Sequence, residues 1–264
     1  MAGLYLYCVR LRSRVVPEVQ RNISGKGSVY AVAYKDIEAV VSEVDMGEFS
    51  SKEITEKVQD DLQWIKEKAE LHEYVVESMM KQGATVIPMK FGTIFQGQST
   101  LEKMLAKRYE EFKSKLDSLG GKQEWAAKVY LDHKTLEQEV RETNPRVRQK
   151  VKEFGIESQP EGVAYFMEKQ LDEIVFNETA GVLAYYQSMF LEKLTCCAEA
   201  CAKGKLLEKE LTGKKFPMML NTALLLRKAQ APLFKAEVQT LQQEFEGKGF
   251  HFEWSGPWPP YNFV

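Results

Sequence analysis

Residues 29–44 read VYAVAYKDIEAVVSEV. Two β-branched and aromatic runs, 29–34 and 37–44, are separated only by Lys35 and Asp36, the spacing of a tight hairpin. Upstream, residues 4–9 alternate with both faces apolar: Leu4, Leu6 and Cys8 on one, Tyr5, Tyr7 and Val9 on the other. That pattern predicts a central strand. Downstream the period changes from two to three and four. Apolar residues at Ile54, Val58, Leu62, Ile65, Ala69, His72, Val76 and Met79 or Met80 predict one long amphipathic helix, with Ser50 and Ser51 as caps and a stop at Gly83. A strand over 85–88 and a helix over about 100–119 follow. This half therefore reads as a small sheet with helices on one face, bounded by Gly120 and Gly121.

The second half opens with a strand at 127–131 beside Trp125. A charged helix over about 135–154 is interrupted at Asn144-Pro145, because the residue before proline is pushed out of the helical region. A long helical stretch is expected from about 161 to 211, carrying Leu171, Ile174, Tyr186, Phe190, Leu194, Cys197 and Cys201 at helical spacing. Residues 216–226 suit a buried strand, 231–246 a helix with Pro232 in its first turn, and Phe250, Phe252 and Trp254 a last alternating strand. Strands and helices interleave in both halves, so the fold class is α+β with two domains, 1–121 and 122–255. The remaining segment, 256–264, reads GPWPPYNFV, with three prolines, three aromatic residues and no charge. It is expected to be an extended polyproline-type tail with no ladder of its own.

The chain has 264 residues, 44% hydrophobic and 28% charged, and 36 basic against 38 acidic side chains leave a formal charge of -2. This is a globular composition, long enough for two cores. The balanced charge excludes a general attraction to phosphate backbones or anionic lipid, so no nucleic acid and no membrane partner is expected. No segment approaches the roughly 18 to 20 apolar residues of a membrane helix, and the order of charges near the start is wrong for a secretory signal. Four cysteines, Cys8 alone and Cys196, Cys197 and Cys201 close together, suit a reducing compartment, and cytoplasmic residence is the expectation.

Five stretches taken together resemble one family: GLYLYCVR at 3–10, the hairpin at 29–44, HEYVVESMMKQGATVIPMKFGTIF at 72–95, WAAKVYLD at 125–132 and GPWPPYNFV at 256–264. They are similar to the gas vesicle protein F/L (GvpF/GvpL) family. The most specific pieces are residues 88–93 and 256–261. The resemblance implies a first domain of ferredoxin-like type, a second that is a modified α+β sandwich with a long helix, and a location in the cytoplasm and the gas vesicle. It implies a role in gas vesicle assembly: contact with the hydrophobic shell protein GvpA and other accessory proteins, prevention of GvpA aggregation during nucleation, and minor incorporation into the vesicle. One segment departs from the family pattern, SQPEGVAYFMEKQ at 158–170, with a single glycine where a glycine-containing run into basic residues is usual.

No catalytic constellation emerges, and no cofactor or metal is expected. Cys196, Cys197 and Cys201 read as small thiols in a helix seam, of which Cys197 and Cys201 share a face. His72-Glu73 lacks the second histidine of a zincin helix, since position 76 is Val76, so His72 reads as a hydrogen-bonded, partly buried histidine. The glycines near 25–27 and at Gly92 match no phosphate-binding pattern. Arg146, Arg148, Lys150 and Lys152 alternate around a helix and read as solvated surface. The alternative class, an enzyme on an α+β scaffold, would have to draw on Lys90, Tyr130, His133 and His251.

The residues expected to bind a partner or line an interdomain seam are Lys90, Phe91, Trp258, Tyr261 and Phe263. For the tail, burying three aromatic residues yields about 5 to 9 kcal/mol, against about 9 to 18 for ordering the segment, roughly halved by its prolines. Docking is thus balanced near zero, and either backbone hydrogen bonds with a seam between domains or a partner's groove must tip it.

Overall fold

Burial of every residue from Gly3 to Arg10 fixes the centre of the first sheet. The computed structural model describes residues 2–49, 57 and 60–264, and the chain divides into two compact units, 1–124 with 257–264, and 125–256. In the first unit β1 (Ala2–Leu11) lies between β3 (Ile37–Asp45) and β4 (Val86–Pro88), with β2 (Tyr30–Tyr34) beyond β3. The expected hairpin is present, with Lys35 at φ 52 supplying the left-handed turn residue. All of these neighbours run antiparallel, and a short strand β5 (Ile94–Phe95), absent from the sequence reading, also pairs with β1. The strand order follows a β-α-β-β-α-β unit, but residues 12–29, between β1 and β2, carry no helix.

A charged residue in a doubly buried strand needs a partner. Arg10 stands opposite Glu38 on β3, 2.8 Å away, and its guanidinium also donates to the Val15 carbonyl.

The helix expected from Ile54 onward is different where it is described. Helix α1 (Leu62–Lys81) starts at Asp61, whose carboxylate caps the Trp64 N–H. Ser50, Ser51, Ile54 and Val58 lie outside the described residues. The cap starts the helix at Leu62, and its buried face is Lys68, His72, Val75, Val76 and Met79. Leu62 is 77% exposed and Ala69 is also exposed, contrary to the periodic reading. The Lys68 stem instead crosses Phe49 and Trp64, with its ammonium 5.8 Å from each ring centre and 3.7 Å from Glu48. The expected helix over 100–119 is two, α2 (Gln98–Lys107) and α3 (Tyr109–Leu119), broken at Arg108. α1 packs with Tyr5 and Tyr7 on one face of β1, while Leu6 and Val9 are equally buried, so the sheet is covered on both faces and not on one.

The second unit holds a sheet of order β7-β8-β6-β9, formed by β6 (Lys122–Leu131), β7 (Ala200–Lys203), β8 (Met218–Arg227) and β9 (Phe250–Trp258). Asn144 ends α4 (His133–Thr143) and caps α5 (Pro145–Phe154), as the Asn-Pro pair predicts. Helix α6 (Glu161–Thr195) ends well before residue 211. The chain then forms β7 and a single turn, α7 (Lys209–Thr212). Cys201 is therefore on a strand and exposed, not on a helix face with Cys197, which is buried. Edge pairing of Ala200 to Lys203 with β8 overrides a composition that is equally compatible with helix.

Helix α8 (Ala231–Phe245) adds Phe234, Val238, Leu241 and Phe245 to a core centred on Phe190. The last strand continues through Gly256 to Trp258, so those residues do have a ladder, and a 3-10 turn at Tyr261–Phe263 ends the chain. The tail is extended only in part.

Candidate functional site

Residue His72 sits on the buried face of α1, 3% exposed, under Tyr5 of β1. The Tyr5 hydroxyl is 2.9 Å from Nδ1, and the Tyr261 hydroxyl is 3.0 Å from Nε2. Tyr261 donates its proton to Glu73 Oε2 at 3.0 Å, so its oxygen is left to accept from His72. The Tyr5 oxygen in turn receives the Gly92 N–H at 3.1 Å. The result is one hydrogen-bonded chain that links Gly92, Tyr5, His72, Tyr261 and Glu73. Burial pushes the imidazole down to about 4, opposed by a hydrogen bond to the Met89 backbone, which keeps it neutral at pH 7.

The next tail residue makes a second attachment. Asn262 donates its backbone N–H to Glu124 Oε2 at 3.0 Å and its side-chain amide to Oε1 at 2.6 Å. Glu124 is only 4% exposed, and burial raises its carboxyl above the usual range, opposed by these two bonds. Burial also raises Glu73, with the Tyr261 bond opposing and the negative charges of Glu77 and Glu124 adding to the rise. Tyr261 is 37% exposed as a whole, yet its hydroxyl, desolvated against Glu73, is pushed well above its ordinary value.

Of the residues singled out from sequence, the structure brings Phe91 and Tyr261 onto one histidine. Phe91 lies edge-on to His72 at 6.2 Å and to Tyr5 at 6.3 Å, and Tyr261 is 6.5 Å from the imidazole. Lys90 is exposed at the turn, where its carbonyl accepts from Thr93. Trp258 is 38% exposed, and Phe263 is half-buried at the end of the 3-10 turn. Sequence reasoning missed Glu73 and Glu124 as partners of the tail, Tyr5 as the second partner of His72, and Asn262 as a point of attachment. No sequence signal marks Glu124, because β6 opens with the polar run Lys122, Gln123 and Glu124 before Trp125.

Of the residues named for the enzyme alternative, Lys90 belongs to the first unit, and Tyr130, His133 and His251 to the second. His251 stacks flat on Phe216 at 4.8 Å. Among the described residues, no group of three histidine, cysteine or acidic side chains is arranged to hold a metal, and no helix is long and apolar enough to cross a membrane.

Residues 3–264 match the family model described as gas vesicle synthesis protein GvpL/GvpF. Gas vesicle protein L of Streptomyces sp. (strain CB03234) is 24% identical, over 98% of this chain and 92% of that protein. Gas vesicle protein F of Haloferax mediterranei is 22% identical, over 99% and 93%. The crystal structure of GvpF from Anabaena sp. PCC7120 superposes with a TM-score of 0.69 at 17% identity, covering 100% of this chain and 98% of that one. GvpF from Microcystis aeruginosa gives 0.66 at 19%, covering 99% and 98%.

Proposed function

The chain belongs to the gas vesicle GvpL/GvpF family, and from that premise we propose that it is an accessory and minor structural protein of gas vesicle assembly in the cytoplasm. It binds the hydrophobic shell protein GvpA, shields it from aggregation during nucleation, and works beside other accessory proteins. Its task is burial of a partner's apolar surface, not turnover of a substrate.

The observation that supports this reading is the surface of α6. A helix of 35 residues normally keeps apolar groups on one stripe, but here they occur all round. Phe166 is 71% exposed, Phe176 67%, Tyr185 65% and Tyr165 59%. Large rings held in water on a rigid helix offer apolar area at low ordering cost, which suits transient cover of a hydrophobic subunit.

Co-expression with GvpA tests the proposal. The full chain is expected to keep GvpA in the soluble fraction and to co-purify with it. A Phe166→Ser, Phe176→Ser, Tyr185→Ser variant is expected to fold normally and lose at least tenfold in GvpA retained. Undiminished retention by the folded variant would remove α6 from the mechanism, and failure of the full chain to bind GvpA or any accessory protein would sink the reading.

A further inference from the structure

The groups that hold Tyr261 and Asn262 define what else could take their place. Glu124 is buried, and both its oxygens are committed to Asn262. Glu73 gives Oε2 to Tyr261, while its Oε1 is buried with no hydrogen-bond partner among the described residues. His72 gives one N–H, and the rings of Tyr5 and Phe91 lie beside it. Two acceptor carboxylates and one donor select an uncharged segment that carries a phenol followed directly by a carboxamide. An acidic segment meets two like charges, and an aliphatic one leaves both carboxylates buried and unpaired, a costly state. A site vacated by the tail therefore calls for a replacement of the same chemistry.

That chemistry is present in every copy, at residues 257–264. Gly256 lies inside β9, two residues before its end at Trp258; its φ of 132 is open to glycine and strained for other residues, and Pro257 follows it.

We propose that the pocket of His72, Glu73 and Glu124 is a binding site for the 257–264 segment in trans as well as in cis, and that two copies exchange tails. One tail and one site per copy make the exchange reciprocal, which closes as a two-fold dimer. The tethered tail competes at an effective concentration of about a millimolar, so exchange takes over where copies are crowded or held side by side.

A complementation experiment on full-length chains tests this without cis competition. One variant carries Tyr261→Ala and Asn262→Ala, with its site intact; the other carries Glu73→Leu and Glu124→Leu, with its tail intact. Each alone is expected to sediment as a monomer. The mixture is expected to form a 1:1 complex that an excess of the 257–264 peptide dissolves. A mixture that stays monomeric, with both variants folded by circular dichroism, overturns the proposal. Should either variant not fold, wild-type chain and a fluorescein-labelled 257–264 peptide decide instead. Saturable uptake, at least tenfold weaker for the peptide with Tyr261→Phe and Asn262→Asp, supports exchange. No uptake up to about a millimolar overturns it.

Discussion

Tyr7 in the first unit and Phe190 in the second are both 0% exposed and both lie among rings, yet different forces hold them. Tyr7 packs at 4.9 Å from Tyr5 and 5.8 Å from His72, and its hydroxyl bonds Ser42 at 2.8 Å and receives the Ile23 N–H at 2.8 Å. Burial pushes that hydroxyl up to about 12. Phe190 has no polar group to bond, and its ring neighbours are Phe252 at 4.8 Å, Phe245 and Phe250 at 5.0 Å, and Tyr186 stacked at 5.6 Å. A core of hydrogen-bonded rings specifies which polar groups may enter it, and the tail enters there. A core of bare rings specifies volume alone, and supports α6 from below while leaving other rings of that helix exposed.

The largest effect should come from emptying the bare-ring core. Phe190→Ala removes the ring that four others surround, and it is expected to cost about 3 to 5 kcal/mol. Urea unfolding checks the figure. A loss below about 1 kcal/mol would mean that the neighbouring rings collapse into the gap, and that volume is not what defines this core.

The hydrogen-bonded core should respond to pH, and the sign follows from His72. Its folded value of about 4 lies below the ordinary 6.5, so between those limits the unfolded chain binds more protons. The His72 contribution is full above pH 6.5 and is lost as pH falls through that window to about 4, by about 3 kcal/mol in all. The carboxyls raised by burial, Glu73 and Glu124, act in the opposite sense, since their folded forms hold protons more tightly. The clean readout is thus a difference. The stability gap between wild type and His72→Gln should narrow as pH falls from 6.5 to 4, and a gap independent of pH would show that His72 is not buried neutral.

The contrast between the cores also explains what the sequence made legible. The hairpin at Lys35-Asp36 and the helix break at Asn144-Pro145 depend on neighbours in the chain, and local chemistry was enough to read both. Strand β7 depends on a partner: Ala200 to Lys203 become a strand only because β8 offers its edge at Thr222 to Leu225. Tyr261 stood out in an uncharged aromatic tail, but its attachments could not. The Asn262 bonds to Glu124 span 138 residues, and the Tyr261 bond to His72 spans 189. No periodicity encodes a contact that distant, and a lone buried glutamate looks like any other until its partner is placed.

The smallest expected effect lies on α1, where pattern and packing disagree most directly. By spacing, Leu62 shares a stripe with Val76 and Met79, and a core leucine truncated to alanine would cost about 2 to 5 kcal/mol. In the structure Leu62 is the first residue after the Asp61 cap and is 77% exposed, so Leu62→Ala should shift stability by no more than about 0.5 kcal/mol. Lys68, polar by type, is only 6% exposed. Its stem covers Phe49 and Trp64, and Lys68→Ala should therefore cost more, about 1 to 2 kcal/mol through lost packing and the lost ring contacts of the ammonium. Paired urea titrations of the two variants rank them directly. If Leu62→Ala proved the more damaging, Leu62 would be covered in solution, and the apolar stripe would continue across the Asp61 cap as its spacing suggests.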